Sequence, residues 1–276
     1  MPLAYTEKAP LSGAFLFFCL LLFALPAFSR DCSALLLPPN SPAEKVRVSY
    51  VYDGDTVKLD DGRRIRLLGI NTPEMDREGR TDEPFAVAAR QALLRLTESS
   101  GLWLVVGAKP EDHYGRVLGH LLRADGSLLS AELLRQGLGY WISVAPNIRA
   151  AECLAGAEQV ARQSGLGVWR GNAVCQARQL QSGDQGFMLL EGRVSDIQTS
   201  RKAHWLTLDN RLVVQVSKAL AAQLKPLAVS AFRDRHVAVR GWVIDRQARG
   251  QRLKKGYQRW LLRLTAASML QPVTDR

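Results

Sequence analysis

The chain has 276 residues, 47% of them hydrophobic, with a formal net charge of +11. That length allows one large or two ordinary domains with apolar cores of their own. After the first thirty residues no segment is long and apolar enough to span a bilayer, and the cysteines lack the CxxC spacing of a zinc site.

The charge is unevenly placed. From Gln181 to Arg276, 17 Lys/Arg face 7 Asp/Glu, whereas residues 30 to 180 carry 19 against 18. The basic character therefore belongs to the last third of the chain. That asymmetry points to two domains and to a polyanionic partner for the second.

In chain order, Ala14 to Leu25 (AFLFFCLLLFAL) is an unbroken apolar run, followed by Pro26 and Ala27-Phe28-Ser29. It reads as a secretory signal peptide over residues 1–29, cleaved near Ser29–Arg30, and is short for an uncleaved anchor. The mature protein is expected to be periplasmic or secreted, a monomer, and not inserted in a membrane. Cleavage leaves Cys32, Cys153 and Cys175, and an oxidising compartment favours one disulfide among three open pairings. The four histidines form no ligand pair at helical spacing.

Residues 30–44 are Pro-rich and predict an irregular lead-in. Val46 to Tyr52, Thr56 to Leu59 and Arg64 to Ile70 predict strands, with a hairpin at Asp60-Asp61-Gly62-Arg63. Residues 71 to 82 are polar and aperiodic, hence a loop. Phe85, Ala88, Ala89, Ala92, Leu93 and Leu96 share one helical face, with Thr81 or Asp82 as cap and Pro84 in the first turn. Leu102 to Val106 and Val117 to Leu122 predict strands. Helices follow near Leu129 to Gln136 and Ile148 to Gln163, stopped by Gly137 and Gly165.

Residues 171–185 lie in a Gly/Gln/Ser-rich stretch and read as a link. Beyond it come five short strands: Leu189 to Val194, Trp205 to Asp209, Leu212 to Val216, His236 to Ile244 and Arg259 to Leu264. A short helix near Ser217 to Leu224 fits between the third and fourth. This pattern suits a small closed barrel, for which an OB-like form is one option.

Several side chains could hold chemistry. Asp55, Asn71 and Glu74 offer oxygen donors of the kind a hard cation takes. Arg66 and Arg116, considered with Asp112, present the paired donors that match a phosphodiester, and a further carboxylate near the phosphorus could activate water. Taken singly, each has an ordinary alternative as a turn, a helix start or a solvated strand residue.

Together they carry a resemblance. VYDGDTVKL, RIRLLGINTPE, DHYGRVLGHLL and AELLRQGLGYW, in this order, closely resemble the staphylococcal nuclease (thermonuclease) family over residues 45–170. The resemblance implies a β-rich α+β fold, a five-stranded OB-type barrel with three helices. It also implies calcium-dependent (Ca2+) hydrolysis of DNA and RNA with little sugar specificity. It matches Asp55 to the calcium-binding aspartate, Asn71 to the second metal carboxylate and the Thr72 carbonyl to the backbone ligand. Glu74 matches the glutamate that positions or deprotonates water, and Arg66 and Arg116 the two arginines on the phosphate. Two departures stand out. Asn71 is neutral where an aspartate is expected, with Asp76 and Glu78 near in sequence. Tyr114 fits a KYGR-like substrate-contacting position, but ISVAPN after Trp141 lacks tyrosine. A nuclease-like module that binds nucleic acid or another polyanion without cutting is the alternative.

The segment 186–276 has no motif of comparable specificity. Arg246, Arg249, Arg252, Lys254, Lys255 and Arg259 cluster with Tyr257 and no intervening acid from 246 onward. Cations interleaved with aromatics suit single-stranded nucleic acid, so these residues are the expected substrate-binding set. The plain reading is a solvated hairpin loop.

Overall fold

The computed structural model describes residues 32–36, 42–75, 81–98, 101–224, 228–248, 250, 252–253 and 256–273. The expected signal peptide, Asp76, Glu78, Arg249, Lys254 and Lys255 lie outside them.

A short helix α1 (Cys32–Leu36) leads in. It is tied to the body by a Cys32–Cys153 disulfide, while Cys175 is free and exposed. The first strand is split at Arg47 into β1 (Glu44–Val46) and β2 (Val48–Val51). Next come β3 (Thr56–Leu59), β4 (Arg64–Leu67) and the two-residue β5 (Ile70–Asn71). Helix α2 (Ala86–Thr97) precedes β6 (Leu102–Glu111) and β7 (Val117–Leu122). Helix α3 (Leu129–Arg135), β8 (Tyr140–Trp141) and α4 (Ala151–Gln163) complete this part. The sheet runs β1-β6-β7-β4-β3-β2, so the two halves of the first strand close a five-stranded barrel. Among the described residues of this sheet, only β4 and β7 pair in parallel. Along β4, Ile65 and Leu67 are buried while Arg64 and Arg66 point the other way, as strand alternation requires.

The second sheet contains β9 (Val174–Gln176), β10 (Gly186–Thr199), β11 (Ala203–Leu208) and β12 (Leu212–Ser217). After α5 (Lys218–Ala221) come β13 (His236–Asp245), β14 (Trp260–Arg263) and β15 (Leu270–Pro272). β10 pairs with both β11 and β13, and β12 pairs in parallel with β14. The circuit β10-β11-β12-β14-β13-β10 is thus closed. It repeats the circuit of the first barrel, with the parallel contact between third and fifth strands and a helix between third and fourth.

Several elements differ from expectation. Helix α2 starts at Ala86 because Phe85 takes a left-handed φ of 73°, which leaves Pro84 outside the helix and no side-chain cap. The stretch read as a link contains β9, which adds in parallel to β10. Its partly exposed, polar-flanked sequence gives little strand signal. The helix read at 217–224 is one turn, capped by the Ser217 hydroxyl, which accepts from Leu220 N. The apolar core is continuous through both barrels. Thr265 Oγ1 donates to the Ser143 carbonyl at 2.7 Å, and Ala145 N to the Thr265 carbonyl at 3.1 Å. Among the described residues no helix is long and apolar enough to cross a membrane.

Candidate active site

Two turns and one strand bring the first-barrel residues together. After β2 the chain bends through Asp53-Gly54-Asp55, an Asx turn in which Asp53 Oδ1 accepts from Asp55 N at 3.1 Å. Gly54 has no left-handed φ. It is required by proximity, since a Cβ there would lie 2.6 Å from Ala89 Cβ and 2.8 Å from Thr72 Cγ2. The turn is therefore clamped between helix α2 and the loop after β5. The other Asp-Gly pair is different in kind. Gly62 has a φ of +90° and open space around it, as a hairpin turn needs.

Asp55 is buried, and both its oxygens are in use. Oδ1 accepts from Thr56 Oγ1 at 3.0 Å, while Oδ2 accepts from Thr72 N at 3.0 Å and pairs with Arg66 Nη2 at 2.9 Å. The Arg66 guanidinium also donates to Asn71 Oδ1 at 3.3 Å and to the carbonyls of Leu67 and Ile70 at 2.7 and 2.8 Å. Asn71 is placed by β5, which pairs with β8 at Asn71–Tyr140. Asp55, Arg66, Asn71 and Thr72 thus form one connected group.

Glu74 lies just beyond it. Its backbone N–H donates to Glu83 Oε2 at 2.9 Å. Although the residue keeps much of its surface in solvent, its carboxyl is pushed above the usual range, first by burial and then by the charges of Asp55 and Asp53. Arg66 pulls the other way, and Glu83 adds a smaller push. Arg116 stands one residue before β7, on a turn built by Asp112. Asp112 Oδ1 accepts from the backbone of Tyr114 and Arg116 at 2.9 and 3.0 Å, and Oδ2 from Arg116 Nε at 2.7 Å. Burial pushes the Asp112 carboxyl up, but the bonds from Arg116 outweigh it and hold it below its ordinary value. The Arg116 guanidinium lies 5.5 Å from the exposed Tyr114 ring. Its ion pair is with Asp112 and not with the Asp55 group.

Among the described residues no three His, Cys, Asp or Glu side chains gather as a metal-binding group. The oxygen donors nearest that role are the Asp55 carboxylate, the Asn71 amide oxygen and the Thr72 carbonyl. In the sequence Asp53 is visible as part of the Asp-Gly turn that delivers Asp55, and nothing local marks Glu83.

The second-barrel set divides. Arg246 lies over the exposed Tyr257 ring at 5.4 Å, and Arg252 is exposed beside them. Arg259 departs from its expected role. Its Nε and Nη2 hold Asp245 Oδ1 and Oδ2 at 2.8 Å each, and Nη2 also reaches Ser182. That fork keeps the Asp245 carboxyl well below its usual range, so Arg259 is committed inside the protein.

Known proteins match the same region. The family described as staphylococcal nuclease homologue matches residues 64–171. The chain is 29% identical to a thermonuclease of Staphylococcus intermedius over 129 residues, 46% of this chain and 76% of that protein. It is 31% identical to an uncharacterized endonuclease of Escherichia coli over 129 residues, 45% of this chain and 75% of that one. Its 27% identity to endonuclease YhcR of Bacillus subtilis (strain 168) covers 54% of this chain but 14% of that protein.

Proposed function

The chain belongs to the staphylococcal nuclease family, and we propose that its first barrel is a calcium-dependent nuclease that hydrolyses DNA and RNA with little regard for the sugar. The observation that carries this reading is the connected group of Asp55, Arg66, Asn71 and Thr72 with Glu74 beside it. Calcium fits the residues present. The donors are all oxygen, as a hard cation prefers, and the carboxylates of Asp53 and Asp55 lie close enough to Glu74 to act on it. Asp55, Asn71 and the Thr72 carbonyl would hold the ion, which supplies charge neutralisation at the phosphate.

The protein groups divide the remaining work. Attack joins a water oxygen to phosphorus, breaks a P–O ester bond and builds charge on the phosphoryl oxygens. Arg66 and Arg116 are preorganised donors for that charge, because Asp55 and Asp112 already hold their guanidinium planes. Glu74, the carboxylate beside that group, takes the proton from water. Tyr114 offers an exposed ring beside Arg116 for the substrate.

The protein acts outside the cytoplasm. The apolar run at 14–25 supports export, and so does the Cys32–Cys153 disulfide, which suits an oxidising compartment. The N-terminal sequence of the protein recovered outside the cytoplasm should begin near Arg30; recovery of an intact Met1 terminus only in the cytoplasm would refute this.

To test the activity, residues 30–276 are incubated with DNA and RNA in calcium or in a chelator. Cleavage is expected in calcium alone and is expected to be lost in Glu74→Gln. Cleavage that survives chelation, or full activity of Glu74→Gln, overturns the assignment. The second reading, a barrel that binds without cutting, is favoured by the neutral Asn71. It predicts binding with no cleavage under any divalent ion.

A further inference from the structure

The second barrel has a groove that the nuclease reading does not use. It has a volume of about 750 Å³ and lies where the hairpin between β13 and β14 overhangs the outer face of β11, β12 and β14. Its floor is a cross-strand row. Trp205 pairs with Gln215 between β11 and β12, and Gln215 with Arg263 between β12 and β14. The neighbours Leu206, Val214 and Leu262 point into the core, which leaves this row on the outside. Arg263 Nε donates to Gln215 Oε1 at 3.3 Å. The wall is Arg246 over Tyr257, with Arg252 beside them.

Charge in the groove is one-sided. Asp245 is its one carboxylate among the described lining residues, and the Arg259 fork already holds it. Among the described residues no carboxylate pairs with Arg246, Arg252 or Arg263, all three of which line the groove. Two flat faces, Trp205 and the 58%-exposed Tyr257, border these cations.

The common circuit of the two barrels sharpens the comparison. In each, the hairpin between fourth and fifth strands carries an arginine over a tyrosine, Arg116 over Tyr114 and Arg246 over Tyr257. The loop between first and second strands differs. In the first barrel it supplies Asp53 and Asp55, and in the second it reads Ser200-Arg201-Lys202. Ser200 Oγ accepts from Trp205 Nε1 at 3.4 Å, so this basic loop borders the groove. The second barrel therefore keeps donors for phosphate, and its loop at 200–202 carries two cations where the first barrel's loop carries two carboxylates.

We propose that this groove binds a single-stranded segment of nucleic acid without cutting it, bases stacking on Trp205 and Tyr257 and phosphates meeting Arg246, Arg252 and Arg263. Single strands are favoured over duplex because stacking needs unpaired base faces.

The test uses residues 30–276 carrying Glu74→Gln, in chelator, so that cleavage does not enter the readout. Fluorescence anisotropy measures binding of labelled oligo-dT, oligo-rU, a duplex of the same length, and heparin. Tight binding of one or both single strands and weaker binding of duplex and heparin is expected. Tyr257→Ala, at an exposed position that folding tolerates, should weaken single-strand binding by about tenfold. Arg252→Gln and Arg263→Gln should each reduce the salt slope by about 0.7. Equal binding of all four ligands with no effect of Tyr257→Ala, or binding unchanged in all three variants, overturns the proposal. Neither result touches the nuclease assignment, which the calcium assay of the unsubstituted protein decides separately.

Discussion

Glu158 of α4 and Arg240 of β13 form a buried ion pair that joins the two barrels. Arg240 Nη1 lies 2.9 and 2.8 Å from the two carboxylate oxygens and donates to the Trp141 carbonyl at 3.0 Å. Glu158 Oε1 also accepts from Trp141 N at 2.7 Å. Both backbone groups of Trp141 are thereby fixed, and Trp141 belongs to β8, whose other residue pairs with Asn71. A second-barrel side chain thus buttresses the strand that places a first-barrel site residue.

Removing one partner should cost far more than removing both. Arg240→Met leaves a carboxylate buried without its cation, a loss of about 3–5 kcal/mol. The double variant Arg240→Met with Glu158→Leu should recover much of it, because apolar replacement of both charges removes the desolvation penalty. Urea denaturation of the three proteins checks this. A single variant as stable as the parent would show that the pair does not hold the barrels together.

The two Asp-Gly pairs should respond in opposite ways to the same change. Gly54→Ala drives a methyl group into Ala89 and Thr72, at 2.6 and 2.8 Å, and should destabilise by about 1–3 kcal/mol. Because Thr72 and Asp55 move with that clash, nuclease rate should fall by up to about 10²-fold. Gly62→Ala strains a φ of +90° in open space, costing about 1 kcal/mol with no change in the rate of the folded enzyme. Equal loss of rate in both variants would remove the distinction.

The contrast shows what was legible in the sequence. The first three strands of the first barrel, Arg64 and Arg66 on one face of β4 and the Asp53–Asp55 turn follow from alternation and local turn chemistry within residues 44–74. Gly54 was legible as a turn and not as a close approach, since its neighbour Ala89 is 35 positions away in sequence and its φ is ordinary. Arg259 read as one more exposed cation, because its partner Asp245 sits on the facing strand. Arg240 carried no signal at all, being one arginine in a strand pattern. The disulfide was open among three pairings and is closed only by the docking of α1 on α4.

Asn71 sets the expected metal affinity. Its amide oxygen already accepts from Arg66 at 3.3 Å, and it stands where a second carboxylate would strengthen an oxygen site. Asn71→Asp adds one formal charge to that site and should lower the calcium concentration for half-maximal activity by about tenfold, or about 1.4 kcal/mol. Calcium titration of cleavage by the two proteins measures the shift. An unchanged midpoint would mean that residue 71 does not ligate the ion.

His120 should make the fold acid-sensitive before the carboxylates titrate. It is buried on β7, its Nδ1 has no hydrogen-bond partner among the described residues, and burial, then the charge of Arg149, holds its pKa down at about 4. In the unfolded chain the imidazole returns to about 6.5. Between those values the unfolded state takes up a proton that the folded state refuses, so stability present above pH 6.5 is lost as pH falls toward 4. The full loss is on the order of 3 kcal/mol. Urea denaturation at pH 7, 6 and 5 should show this slope in the parent protein. His120→Leu should flatten it whatever its effect on absolute stability at pH 7. An unaltered slope in His120→Leu would move the acid sensitivity to other groups.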